Sequence, residues 1–304
     1  MSEEQLIGVI SVGSYEGLLS SWRITRTTAN GNDEYAAKIS FRTSPHDGSI
    51  RSLKSSGKIL ASGGYDGSVA LFDIVNNKKV GSLIQHEDSV DDIDFYENSY
   101  IATGSADKSI CLWRTKDWAL VKQFKGHTAS VNSLAIATCG KFMLSVGRDA
   151  AVRMWDLMRA HNARTRKLPM IPSIIRFANT DEKFIIVVGR SAIVINGVTE
   201  NTEAEYKTES NIMAICVDGD DLWIGCVDGT IYGYNLLDNK FYGIYNITDK
   251  RIKYLKAEGG YITVLTAEGN VIFGNIDENH DINTILTWKV DTRITCGDFA
   301  FFKN

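Results

Sequence analysis

Three histidines, His46, His86 and His127, stand 40 and 41 residues apart. Each is followed at nearly fixed offsets by a hydroxyl, a carboxylate and an aromatic ring. The sets are His46, Ser62, Asp66 and Phe72; His86, Thr103, Asp107 and Trp113; and His127, Ser145, Asp149 and Trp155. Hydroxyl, imidazole and carboxylate are the parts of a nucleophilic hydrolase. A catalytic site is built once, however, and this constellation recurs in three consecutive units. A repeated polar set is better explained as a buried hydrogen-bond chain that satisfies its own donors and acceptors and ties a loop to a turn. These residues are read as structural, and the chain as non-enzymatic with no catalytic residue.

Other residues that could do chemistry lack the necessary spacing. The five cysteines are never closer than ten positions and form no CxxC pair, so neither a zinc knuckle nor a dithiol site is written here. The acids Glu87, Asp88, Asp91, Asp92 and Asp94 lack calcium-loop spacing and are expected to form a solvated face. Turns such as GGYDG have no phosphate-cradling spacing, so no metal or cofactor is expected. Asn246-Ile-Thr248 is a glycosylation sequon without secretory context. Several residues of the basic run Arg153, Arg159, His161, Arg164, Arg166 and Lys167 are expected on an outer strand, as a soluble edge or as a local contact for RNA or an acidic partner.

Composition narrows the class. With 304 residues, 44% of them hydrophobic and 23% charged, the chain can bury a large core. The net charge of −4 argues against a protein held to nucleic acid by its overall field. The Met-Ser-Glu-Glu start carries no basic or apolar leader, and the longest aliphatic stretch, near Phe184 to Val188, is far short of a membrane span. A soluble, intracellular protein without membrane contact is expected.

The elements that position the histidine sets follow from the same period. The turn aspartates Asp66, Asp107 and Asp149 are 41 and 42 apart, and the aromatics Phe72, Trp113 and Trp155 step by the same intervals. Each unit holds short alternating apolar runs separated by Gly, Asp, Ser and Asn, the pattern of strands joined by tight turns. A unit of about 41 residues with four strands is a propeller blade. The turns persist downstream at Asp228-Gly229 and Glu268-Gly269, whereas Ser191 replaces the aspartate in the run FIIVVGRSAIVIN. The 244 residues from His46 to Lys289 hold six such units.

The front supplies LIGVISVGSYEGLLSSWRI, a polar loop and EYAAKISFRTS, which are the second, third and outer strands of a blade lacking its innermost one. The C-terminal RITCGDFAFF is expected to provide it, removing an exposed sheet edge. The expectation is one all-β domain, a seven-bladed propeller closed by its two chain ends. Its blades are 1–45 plus 290–304, 46–85, 86–126, 127–169, 170–207, 208–246 and 247–289.

The motifs Gly126-His127 and Trp155-Asp156 give this period the look of the WD-repeat family. Within that family, VGSYEGLLSSWRI, GSLIQHEDSVDDIDFY, ICLWRTKDWALVKQFKGHTASVNSLAI and GKFMLSVGRDAAVRMWDLMRA resemble the Pak-interacting branch, whose fungal member is the maintenance-of-killer ribosome-assembly factor. The run Ser145, Val146, Gly147, Asp149, Arg153, Trp155 and Leu157 departs from the generic blade as that branch does. The resemblance covers roughly Val9 to Leu168. It implies a non-enzymatic factor in large ribosomal subunit assembly, nucleolar or nuclear, monomeric within a larger complex, with proteins of a pre-ribosomal particle as partners. Animal members imply the alternative of a negative regulator of a Pak-type kinase. A generic WD-repeat adaptor, cytoplasmic, is the remaining alternative. Members usually carry a lysine-rich tail, and Asn304 is the last residue here.

Strand direction locates a partner surface. In an antiparallel meander, the start of the innermost strand and the turn between the second and third strands share one face of the disc. That face should present Arg51, Asp91, Asn132, Ile175, Met213, Lys253 and Thr295 from the inner strands. From the turns it should present Tyr15, Tyr65, Ala106, Arg148, Arg190, Val227 and Ala267. Partner binding is expected at Tyr15, Arg51, Tyr65, Arg148, Arg190 and Lys253, with Arg148 and Arg190 able to grip one acidic or phosphorylated segment.

Overall fold

Each unit folds as a four-stranded antiparallel meander whose burial grades from the channel outward. Second and third strands such as Tyr100–Ser105 and Ser109–Arg114 are buried on both faces, because each blade is sandwiched between two others. Outer strands such as Ala119–Lys125 expose most of their residues. The computed structural model describes residues 4–29 and 31–302, and Asn304 lies outside them. The described residues form seven four-stranded sheets. Inner strands Ile50–Ser56, Val90–Tyr96, Val131–Ile136, Ile174–Phe177, Ile212–Asp218 and Ile252–Glu258 open blades 2 to 7.

Blade 1 joins the two ends of the chain. Ile294–Phe301 pairs antiparallel with Glu4–Ser14, from Gly8 opposite Phe301 to Ser14 opposite Ile294. Leu19–Ala29 and Asn32–Thr43 complete the sheet. The polar stretch between them, expected as a loop, is instead the continuation of a long hairpin. Threonines favour strand geometry there, and the Arg26–Asp33 ion pair at 2.7 Å and the Thr28 hydroxyl on Asp33 hold its end.

The core lies between blades rather than in one centre. Seven hydrophobic clusters fill the seven blade-to-blade contacts. Leu60 and Phe72 of blade 2 meet Val9, Leu19 and Ala300 of blade 1. In the contact that closes the ring, Leu265 and Phe273 of blade 7 pack on Ile10, Trp22 and Phe299 of blade 1. Stacking of this kind makes every blade depend on two neighbours, as in other repeat architectures.

Six inner strands carry a β-bulge at the same place. The register skips Arg51, Asp91, Asn132, Met213, Lys253 and Thr295 against the second strand, and these side chains line the mouth of the central channel. Blade 5 differs. Ile174 and Ile175 follow in unbroken register opposite Val187 and Ile186, so without the extra residue the alternation is inverted. Ile175, expected on the exposed face, is fully buried, and Ile174 lines the channel in its place.

Candidate functional site

The turns between second and third strands build one face of the disc, here called the top. Gly17, Gly67, Gly229 and Gly269 have φ of +80°, +76°, +88° and +98°, a region open to glycine at little cost. Lys108 and Ala150 occupy it in blades 3 and 4 with φ of 74° and 53°. The turn carboxylate reaches across to the loop entering its blade. Asp66, Asp107 and Asp149 accept the amides of Asp47, Glu87 and Thr128 at 3.0, 3.1 and 3.1 Å.

The histidine sets complete these bridges. In blade 4, Trp155 Nε1–H donates to Ser145 Oγ at 2.9 Å, and Ser145 lies 2.7 Å from His127 Nε2. His127 Nδ1 then faces Asp149 at 3.0 Å. Blade 3 repeats this with Trp113, Thr103, His86 and Asp107. In blade 2, His46 meets Ser62 and Asp66, while Phe72, lacking an N–H, stacks on Phe41 at 5.7 Å. Burial lowers the His46 and His127 pKa values despite their carboxylate partners. The imidazole is therefore neutral near pH 7, accepting from the hydroxyl and donating to the carboxylate. Burial alone would raise the Asp149 carboxyl, but the Thr128 amide and His127 together outweigh it and hold it low. Ser62, Thr103 and Ser145 are wholly shielded from solvent; a substrate carbonyl has no path to any of them.

Of the acid cluster, Glu87 and Asp88 are exposed as expected of a solvated face, but Asp92 and Asp94 are engaged within the fold. Asp92 accepts the Leu134 amide at 2.9 Å and the Ser133 hydroxyl at 2.7 Å, and pairs with Arg176 at 3.2 Å. Asp94 accepts the Ile136 amide at 2.9 Å and approaches Lys54 at 3.5 Å. These carboxylates clip the inner strand of blade 3 to its neighbours, where splayed strands make no backbone ladder. Among the described residues, no three His, Cys, Asp or Glu side chains gather as metal ligands. Nor is any helix among them long and apolar enough to cross a membrane.

In the six blades with the bulge, the two residue groups placed on the top face do share it. The amides of Tyr15, Tyr65, Ala106, Arg148, Val227 and Ala267 donate to the carbonyls of Arg293, Ser49, Ser89, Ser130, Asn211 and Arg251. Each acceptor stands two residues before an inner-strand bulge. Tyr15 and Tyr65 are 60% and 62% exposed, Arg148 and Arg190 are exposed, and Ala267 is covered. Blade 5 replaces the four-residue turn with a tight one at Gly189-Arg190, with Val188 opposite Ser191. Arg190 donates to the Glu209 carbonyl at 3.2 Å.

The candidate binding residues fall into two groups around the ring. Lys253, Tyr15, Arg51 and Tyr65 occupy consecutive blades 7, 1 and 2, whereas Arg148 and Arg190 lie across the disc on blades 4 and 5. Sequence reasoning missed Arg251 and Arg293, which join the first group. Both stand where the regular repeats have Ser49, Ser89 and Ser130, so aligning the degenerate blades two residues before the bulge would have found them. The basic outer strand of blade 4 is largely engaged. Arg164 pairs with Glu200 at 2.7 Å, Arg166 donates to the Glu200 carbonyl at 2.9 Å and Lys167 to that of Asp149 at 2.8 Å.

Comparison with known proteins agrees with this architecture. The family model described as WD domain, G-beta repeat, matches residues 38–73, 77–114 and 118–156. Each match takes the outer strand of one blade with the three inner strands of the next. The chain is 29% identical over 177 residues to a Xenopus laevis protein named p21-activated protein kinase-interacting protein 1-like, covering 58% of this chain and 48% of that one. A Gallus gallus protein of the same name is 27% identical over 293 residues, covering 93% and 78%. Protein MAK11 of Saccharomyces cerevisiae is 31% identical over 180 residues, covering 52% and 43%. The chain thus spans about half the length of the first of these relatives. The solved structure titled "Structure of U3-55K" superposes with a TM-score of 0.75 at 15% identity, over 83% of this chain and 85% of that one, and supports the fold alone. Blade plan, repeat matches and relatives agree: the chain is a WD-repeat β-propeller protein resembling the Pak-interacting and MAK11 branch of that family.

Proposed function

We propose that this propeller is a non-enzymatic scaffold that docks protein segments on its top face, and that it acts in assembly of the large ribosomal subunit. The observation that carries the docking reading is the composition of that face. A chain of net charge −4 presents there the exposed Tyr15 and Tyr65 together with Arg51, Arg148, Arg190 and Lys253. Aromatic and arginine side chains give contact area and directed hydrogen bonds at low entropic cost. The shielded hydroxyls of the histidine sets support a non-enzymatic role. Resemblance to the maintenance-of-killer branch, with MAK11 among the relatives, supports ribosome assembly and a nucleolar or nuclear location. The protein would act as a monomer within a larger particle. RNA contact is the weaker reading, since Arg164, Arg166 and Lys167 of the basic outer strand already donate within the fold.

A second reading is favoured by the relatives' names. The Xenopus and chicken proteins are named as p21-activated kinase-interacting, and a Schizosaccharomyces pombe relative as Shk1 kinase-binding protein 15. Binding and restraint of a Pak-type kinase would use the same face. Depletion followed by ribosomal-subunit profiling separates the two: a large-subunit deficit supports assembly, and altered kinase output alone supports kinase regulation. The surface itself is tested by Arg148→Glu with Arg190→Glu, checked for an unchanged melting curve. Loss of partner recovery supports docking at blades 4 and 5; wild-type recovery moves the contact to another part of the molecule.

A further inference from the structure

Four cations stand at or beside the channel mouth on blades 7, 1 and 2, two in the mouth and two in the adjoining cleft. Lys253, at the bulge of the blade 7 inner strand, is half-buried in that mouth. Its ammonium has no acceptor or carboxylate partner among the described residues. Arg51 lines the same mouth and pairs across the blades with Asp91 at 3.1 Å. Arg251 and Arg293 line the adjoining cleft, and neither guanidinium forms an ion pair among the described residues. Arg293 lies over the Tyr15 ring, 5.8 Å from its centroid. Burial, followed by the charges of Arg251, Arg293 and Arg51, lowers the Lys253 pKa. A partly desolvated cation facing three others is held there at an electrostatic cost that a bound anion removes.

We propose that this mouth is a subsite for a phosphate monoester, carried on a phosphorylated serine or threonine of the protein segment docked on the top face. The proposal rests on the docking reading above. A phosphate carries close to two negative charges near neutral pH and three acceptor oxygens, which suits several converging cations better than one carboxylate does. Arginines supply paired donors to such oxygens. Glu16, Asp249, Glu268 and Asp291 line the adjoining cleft. They would repel a continuous polyanionic backbone, whereas one phosphorylated side chain entering the mouth avoids them. Tyr15 and Tyr65, both exposed on the turns of blades 1 and 2, can carry the rest of a peptide.

The test is an array of phosphoserine and phosphothreonine peptides, each paired with its unphosphorylated twin, probed with the full chain and with the double variant Lys253→Met, Arg293→Gln. The wild type should retain phosphorylated members over their twins. The double variant should bind them at least about tenfold more weakly, with a melting temperature equal to or above wild type because it removes uncompensated charge. A carbon-13 lysine titration adds a direct readout, since inorganic phosphate should raise the Lys253 pKa in the wild type. Equal retention of both twins, retention of neither, or binding unaffected by the double variant would overturn the proposal. So would tighter binding of homopolymeric RNA that the same variant abolishes. Partner recovery from phosphatase-treated extract keeps the two readings apart. If recovery is undiminished yet lost with Arg148→Glu and Arg190→Glu, the phosphate subsite fails while top-face docking stands. Recovery unaffected by either double variant removes the docking reading as well.

Discussion

Asp298, on the last strand of the chain, accepts the backbone N–H of Ser55 at 2.7 Å and so clips blade 1 to blade 2 across 243 residues of sequence. The same bridge recurs three residues after the bulge elsewhere in the ring. Asp94 accepts the Ile136 amide at 2.9 Å, and Cys216 Sγ accepts the Ala257 amide at 3.2 Å. Asp298 also takes the Tyr254 hydroxyl at 3.0 Å and lies 3.9 Å from Lys256. A side chain at this position satisfies an amide that no backbone ladder reaches.

Asp298→Ala should therefore leave the Tyr254 hydroxyl and the Ser55 amide short of an acceptor, whereas Lys256 keeps Glu258 at 3.0 Å and the Phe299 carbonyl at 2.7 Å. Leaving a buried donor without its acceptor costs about 1–3 kcal/mol, and urea unfolding should show a loss of at least that order. Asp298→Asn keeps an acceptor and should lose clearly less. Equal stabilities for wild type and the alanine variant would show that the clip contributes nothing.

Removal of residues 290–304 tests ring closure. It strips blade 1 of its inner strand and takes Phe299, which is fully buried, from the closing contact. Unpaired strand edges beside apolar surface promote association. Light scattering should show aggregates, or calorimetry a lost cooperative transition. A monomer with the wild-type transition would refute closure by the chain ends.

Asp149→Ala should cost on the order of 1–3 kcal/mol, because His127 and the Thr128 amide lose their acceptor. At temperatures where the variant stays folded, partner binding should match wild type. A fully stable variant that fails to bind would make Asp149 a binding residue rather than a structural one.

Acid should destabilise the protein in two steps. The folded pKa values of His46 and His127 lie below the ordinary 6.5, burial being the main cause. Between the folded and the ordinary value the unfolded chain binds more protons, so stability falls as the pH drops below 6.5. Asp66 and Asp149 are held below the ordinary 3.8, their hydrogen bonds together outweighing burial. Their contribution is present above 3.8 and is lost as the pH falls through the folded values. Urea midpoints at pH 7.5, 5.5 and 3 should decline in that order; a flat profile from 7.5 to 5.5 would contradict the neutral buried imidazoles.

Blade number, ring closure and the common face of inner-strand starts and turns were legible in the sequence. All three follow from local signals, namely the alternation of apolar residues, the Asp-Gly turns and a period near 41 residues. The histidine sets were visible for the same reason, since each recurs at its own offset. Departures from local rules were not visible. The missing bulge in blade 5 turns Ile175 inward, a one-residue change of register that only pairing with Lys183–Val188 decides. Asp92 and Asp94 look like a surface run, yet the splay of adjacent inner strands brings them onto the backbone of blade 4, and Asp92 onto Arg176 of blade 5. Arg251 and Lys253 are two residues apart, whereas Arg51 and Arg293, 242 residues apart, come to the same side of the ring only because it closes. Periodicity writes each blade into the sequence, but contacts between blades join residues far apart in the chain, and the charge they bring together depends on the closed ring.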